Sequence, residues 1–421
     1  MNVLLVAYFF PPCRDIGAGR PAAMARYLER LGHGVTVLTT RAYGELPDDA
    51  EHGVHRAPDL QLARARLRGE RTIGSLYAAD TYSGRPHPLS RVLVPEPLVA
   101  AWMPFARALA LRLAASERFD CVLTTSPPES AHLVGHALQR RRGLPWVAEL
   151  RDAWRLESLR PPFPLSAQRH LDGWLERRTL AAADAVVCVS QPAAADLRAR
   201  GIANPLVIEN GWDPEQVEAA RAESSGIGLD PDRVSLVYTG RFGRGRDPRA
   251  LVDALAMLAR DEPEIAARLE LLIAGPLTAE ERQSLARAVP PSRIALLGTL
   301  PHERALALQR EADALALIAH PQRSQLLNYK LFEYLAAERP ILALAAGTEA
   351  GRVAAELGCE VVGAADARAI AGALRRLSSE GLPVPERAAA ARYAYPAPAE
   401  KLATVIEAAT SRRASSFSAS G

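Results

Sequence analysis

Residues 234–255, VSLVYTGRFGRGRDPRALVDAL, decide how this chain is read. Val234 to Gly240 is a largely apolar run of the kind that lies buried on both faces of a parallel sheet. A loop rich in glycine and arginine follows at once, and Asp247 with Pro248 supplies the N-cap and first position of a helix. Arg241 follows the strand directly and Arg246 comes five residues later. Two guanidiniums placed there suit a pyrophosphate, because each planar fork donates parallel hydrogen bonds to phosphate oxygens. A solvated basic loop accounts for the same residues equally well.

Outward from this unit the same rhythm repeats. In the first half the strand candidates are VLLVAY, GVTVLTT, CVLTTS, PWVAEL, AVVCVS and PLVIEN; in the second, after VSLVYTG, they are LELLIAG, RIALLG, ALALIAH and PILALA. Helical Ala/Arg/Leu segments separate them, so both halves are expected to be doubly wound α/β sheets. At 421 residues the chain exceeds what one core usually supports. The turn formers of residues 212–233 place the junction, giving domains 1–212 and 213–396, with a helix at about 397–410 packing back on the first and a disordered tail over 411–421.

The net charge of +3 is too small to demand a nucleic-acid partner. Cys13, Cys121, Cys188 and Cys359 are far apart without CxxC spacing, which argues against zinc or a disulfide framework and fits a reducing, cytoplasmic setting. NVLLVAYFF lacks a basic leader and reads as a strand rather than a signal peptide. No run reaches the roughly 20 apolar residues of a membrane span. VPEPLVAAWMPFARALALRLAA and RARLRGER are apolar or basic enough to touch the inner face of a membrane peripherally, although a helix folded onto its own domain is the plainer reading of the first.

In residues 322–344, QRSQLLNYKLFEYLAAERPILAL, Asn328 sits where a cap belongs, ahead of a helix expected from about Tyr329 to Ala337. Its unpaired N–H groups and Lys330 form an anion seat, and Glu333 suits sugar hydroxyls. An ordinary exposed Lys/Glu pair is the alternative. In YFFPPCRDIGAGRPAAMARYL, Gly17, Gly19 and Ala22 loosely match a dinucleotide fingerprint. The glycines come too late after the strand, and no acid closes the second strand, so NAD is disfavoured; Gly17 to Arg20 remain able to cover a diphosphate.

Together these loops resemble the family 4 glycosyltransferases of GT-B architecture, two Rossmann-like domains facing across a cleft. The resemblance rests on the Gly-Arg strand end with its second basic residue, on KLFEYLAAERPILALA, and on YFFPPCRDIGAGR; TTSPPESAHL, PWVAELRDAW and VIENGWD look like the subgroup of surface-polysaccharide sugar transfer. It implies retaining transfer from a nucleoside-diphosphate sugar to an acceptor hydroxyl, with no metal, no other cofactor and no protein nucleophile. Arg241, Arg246, Lys330 and Glu333 then carry catalysis, Glu333 on the ribose. The donor lies against Gly17, Gly19 and Arg20 in the first half and against Gly240, Gly275, Leu300, Gln325, Leu326, Leu327, Asn328 and Tyr329 in the second. Ser126, Arg151, Asp152, Trp154 and Asn210 line the acceptor side, unless Arg151 and Asp152 form a structural ion pair.

Three positions depart from the family pattern. Gln325 replaces a glutamate that contacts the donor sugar, Glu338 stands where glycine is usual at the helix end, and a histidine near the donor sugar has no counterpart. Asp230 and Asp232 form a DxD string, but Pro231 between them makes a turn the better reading than a cation site. A sugar-nucleotide 2-epimerase drawing on His132, His136, His302 or His320, and a nucleotide-binding partner of another transferase, are the competing functions.

Overall fold

The computed structural model describes residues 1–13, 16–62, 67, 92–156, 162–242, 246–286, 293–320, 324, 325, 327 and 329–418. The chain divides into two compact units: Met1–Glu209 with Tyr395–Gly421, and Asn210–Ala394. The division falls a few residues before the expected junction and puts Asn210 in the second unit.

Unit 1 is built on a parallel sheet of β1 (Asn2–Ala7), β2 (Gly34–Thr40), β3 (Val54–Ala57), β4 (Cys121–Ser126), β5 (Trp146–Leu150), β6 (Ala185–Cys188) and β7 (Leu206–Val207). Its strand order is β3-β2-β1-β4-β5-β6-β7. Both faces are covered, which is why β1, β4 and β5 are buried at every position but Asn2. One face is packed by Ala106, Leu113, Val134 and Leu138 of the helices Met103–Ser116 and Ser130–Arg142. The other is packed by Met24 and Leu28 of the helix Gly19–Arg30 and by Leu402 and Ile406 of the helix Ala397–Ser418. That last helix returns to unit 1, and it continues to Ser418 where a disordered tail was expected from 411.

Unit 2 repeats the plan with β8 (Val234–Thr239), β9 (Leu269–Ala274), β10 (Arg293–Gly298), β11 (Ala314–Ile318), β12 (Ile341–Leu344) and β13 (Glu360–Val362), ordered β10-β9-β8-β11-β12-β13. All eleven strand candidates are strands, while β3 (VHRA) and β13 (EVV) carry too few apolar residues to have stood out. In each sheet the order reverses beside the strand that opens it, between β1 and β4 and between β8 and β11. Ligands of open α/β sheets bind at the carboxyl ends of strands at such a reversal.

The segment at Trp102 is core: Trp102 is fully buried and Ala106 and Ala110 face inward, so this stretch folds onto its own unit. Apart from Leu67, RARLRGER lies outside the described residues, as do Leu326 and Asn328. Asp230 accepts a hydrogen bond from the backbone N–H of Asp232 (3.1 Å) and pairs with Arg233, which is a turn. Among the described residues no helix is long and apolar enough to cross a membrane.

Candidate active site

In unit 2 the reversal point gathers cations. At the end of β8, Tyr238 stacks on Phe242 with centroids 4.3 Å apart and donates its hydroxyl to the Arg241 carbonyl (2.7 Å), which closes the turn after the strand. Lys330 arrives from the helix Tyr329–Leu335, and its Nζ donates to the Tyr238 hydroxyl (2.8 Å) and to the Arg241 carbonyl (3.2 Å). It lies 4.2 Å from the Tyr238 ring centroid, a cation–π distance. Burial pushes the Lys330 ammonium down to about 7, the nearby Arg246 pushes the same way, and Glu333 opposes both. Arg246 donates Nη1 to the Phe242 carbonyl (3.2 Å), while its buried Nε has no partner among the described residues. A buried guanidinium N–H left open beside a half-neutral lysine is suited to an incoming anion.

Glycine makes this crowding feasible. A Cβ on Gly240, whose φ is +96°, would stand 2.7 Å from Lys330 Nζ, and one on Gly275 would meet the Gly240 carbonyl oxygen at 2.2 Å. The second clash is with backbone and has no side chain to yield. Gly240 N–H donates to Ala274 O and Gly275 N–H to Gly298 O, so the ends of β8, β9 and β10 are tied in sequence.

Glu333 is fixed from a direction the sequence did not indicate. Gln309, fully buried on the helix His302–Glu311, donates its amide to Glu333 Oε1 (2.5 Å) and to Thr239 Oγ1 (2.9 Å). The Tyr334 hydroxyl accepts from Thr239 N–H at 3.0 Å, which anchors the helix carrying Glu333 and Lys330 to the end of β8. Tyr238, Gln309 and Tyr334 read in the sequence as strand, helix and core residues. None left a signal in the sequence: Gln309 stands before Arg310 and Glu311 and reads with them as the polar end of its helix.

The helix ends at Leu335, two residues short of expectation, so fewer peptide dipoles are aligned behind the anion seat. The helix Arg249–Asp261 starts one residue later than Asp247-Pro248 implies, although Asp247 still accepts from Arg249 N–H (2.9 Å). Leu327 is buried, Leu300 and Tyr329 are half-buried, and Gln325 is exposed in a turn. Glu338 has φ +54°, so this glutamate occupies the left-handed position that favours glycine.

Unit 1 treats its expected site residues differently. Arg20 is 3 % exposed and bonds Glu149 Oε1 (2.9 and 3.0 Å), the Ile208 carbonyl (2.9 Å) and the Glu209 carbonyl (2.6 Å). Its guanidinium is committed to these interior bonds. Arg151 donates to the carbonyls of Ser126 (3.0 Å), Pro127 (3.0 Å) and Gly17, binding the loops after β1 and β4 together. Trp154 is fully buried, donates to Asp172 Oδ1 (3.0 Å) and stacks on His132, as part of the core of unit 1. Ser126 and Asn210 are buried, and Asp152 is half-buried. His132 is buried too: burial and Arg151 push it down to about 3, and its Nδ1 meets Thr124 Oγ1 at 2.8 Å. Such an imidazole stays neutral and serves packing. Among the described residues no group of His, Cys, Asp and Glu is arranged to hold a metal ion.

Residues 22–216 match the family model "Glycosyltransferase Family 4" and residues 233–380 match "Glycosyl transferases group 1", together most of the chain. No curated protein sequence matches. Among solved structures, the sucrose-phosphate synthase of Thermosynechococcus elongatus aligns with TM-score 0.63 at 18% identity, over 99% of this chain and 98% of that one. A glycosyltransferase from Rickettsia africae ESF-5 aligns at 0.62 and 12%, over 97% and 98%. The UDP-forming α,α-trehalose-phosphate synthase of Burkholderia vietnamiensis aligns at 0.55 and 15%, over 100% and 99%. At these identities the likeness is one of fold.

Proposed function

Since the chain belongs to the glycosyltransferases, with a family 4 first half and a group 1 second half, we infer that it moves a sugar from a nucleoside diphosphate to an acceptor hydroxyl with retention at the anomeric carbon. The bond from C1 to the β-phosphate oxygen breaks, a bond from C1 to the acceptor oxygen forms on the same face, and the acceptor's proton passes to the departing phosphate. Charge grows on the diphosphate during this step. Arg246 and Lys330 offer preorganised donors for it, Arg241 at the same strand end adds a third cation, and Glu333, held by Gln309, offers acceptors for the ribose hydroxyls. Unit 1 is left to bind the acceptor, which the resemblance draws from glycans, lipid-linked sugars or natural products.

The observation that carries this reading is the placing of Lys330 Nζ, 3.2 Å from the Arg241 carbonyl and subject to the field of Arg246, at the reversal of the second sheet. Thermal shifts with UDP, GDP and dTDP and their sugars test it, and selective stabilisation by one base identifies the donor. UDP comes first in the panel because a structural neighbour is UDP-forming. With the donor known, Arg241→Ala is expected to lower turnover by about two orders of magnitude at saturating donor. Near wild-type turnover in that variant would remove the role given to the strand-end cations. Conversion of the donor to an epimer without acceptor would replace transfer by epimerisation.

A further inference from the structure

On one face of the sheet of unit 1 the helices Met103–Ser116, Ser130–Arg142 and Ser166–Leu180 pack in series, the second against both others. Their outward charge is of one sign. The first exposes Arg107 and Arg112 and contains no acid. The second ends in three exposed arginines, Arg140 to Arg142, and contains no acid either. The third has two acids, but Asp172 and Glu176 are 4 % and 1 % exposed and turn inward, to Trp154 Nε1 and to Arg200 at 3.4 Å. Arg169, Arg177 and Arg178 are left outside. The half-buried His136 is held below the usual histidine range by burial and then by Arg140 and Arg178, which places the basic ends of the second and third helices side by side.

Arginines alone suit any polyanion. The apolar residues among them narrow the choice: Leu171 and Trp174 on the third helix are 49 % and 50 % exposed, and Leu165 just before it is 62 % exposed. The Arg178 guanidinium lies 5.5 Å from the Trp174 ring centroid. Leucines beside a tryptophan and guanidiniums offer little to a phosphate backbone, whereas the boundary between lipid headgroups and acyl chains takes up both kinds of group. We propose that this three-helix face docks the chain onto an anionic lipid bilayer, with the arginines on headgroup phosphates and Trp174 and Leu171 inserted at the boundary. The surface lies wholly in unit 1, and it stands or falls separately from the donor site of unit 2.

Co-sedimentation of the full chain with vesicles of phosphatidylcholine, with and without phosphatidylglycerol, tests the proposal. Binding is expected to the anionic vesicles alone and to weaken as salt shortens the screening length. Each arginine close to such a surface is worth roughly fivefold in partitioning, so the combined variant R140E/R141E/R177E/R178E should lose about two orders of magnitude or more. Because four charge reversals can disturb folding, Trp174→Ala forms a second arm. It leaves every charge in place at a half-exposed position and should weaken vesicle binding several-fold without changing the melting temperature. Absence of vesicle binding, equal binding to neutral vesicles, or unchanged binding by a folded variant overturns the assignment. So does retention of a mixed-sequence nucleic-acid duplex by a chain that ignores anionic vesicles.

Discussion

The two units share a plan, a parallel sheet whose order turns back beside its opening strand, yet they use the loops at that turn in opposite ways. In unit 1 the arginines there are consumed by the fold: Arg20 closes on Glu149 and two carbonyls, and Arg151 closes on three carbonyls. In unit 2 Arg246 and Lys330 lie close to one another, Arg246 keeps an N–H without a partner among the described residues, and Lys330 is held at about 7 by burial first and by Arg246 second. A satisfied guanidinium strengthens a fold, whereas an unsatisfied one waits for a ligand. The contrast teaches that the residue type at a strand end says less than the number of acceptors around it.

The sharpest way to break this contrast is Arg20→Ala. It strands Glu149, 1 % exposed, without its cation, and removing one partner of a buried pair costs about 3–5 kcal/mol. Urea unfolding should show that loss, while stabilisation by the donor nucleotide persists. Reduced nucleotide binding with unchanged stability would make Arg20 a ligand residue after all, and unit 1 would resemble unit 2.

Lys330 supplies the next test. Its folded-state value is depressed to about 7 from the usual lysine value, so it is charged below that pH and loses its proton as pH rises through it. A bound diphosphate raises the value again, so binding takes up a proton above about pH 7. Nucleotide affinity should therefore fall by up to about tenfold per pH unit in that range, until the value of the bound state is reached. Calorimetric titration at several pH values checks it. Lys330→Arg, always charged, should flatten the profile.

Gln309 sharpens the comparison further, because it is a neutral group inside the charged site. Gln309→Met keeps volume but removes the hydrogen bond to Glu333, with an expected loss of about 1 kcal/mol in binding of the ribonucleotide. Discrimination against the 2′-deoxynucleotide should shrink with it; equal discrimination in both proteins would show that Glu333 needs no such support. The smallest effect belongs to Glu338, which meets φ +54° with a side chain. Its pair with Arg387 is exposed and adds little. Glu338→Gly should stabilise by about 0.5–1 kcal/mol in denaturant melts, with activity unchanged.

Much of this was legible before any coordinates. The eleven strand runs were read from their apolar character, and the resemblance marked Glu338 as standing where glycine is usual at a helix end, where the structure has φ +54°. The strands β3 and β13 were not, since VHRA and EVV hold too little apolar surface to be told from loop. The pairing of Arg20 was not legible either, since the carboxylate that neutralises it is 129 residues away. Nor was the packing of Trp154 on His132, which lies 22 residues before it.

By itself the sequence determined what depends on near neighbours along the chain: the alternation of strand and helix, the two halves, and the loops in which cations follow a strand. These are set by turn chemistry and by the periodicity of apolar side chains, and both are written within a few residues. The tertiary structure alone decided which charges are neutralised, which N–H groups stay open, and that a buried glutamine holds Glu333. The energy of a charge depends on the groups within a few ångströms and on the water excluded around it, and those are chosen only when sheet order brings remote segments together.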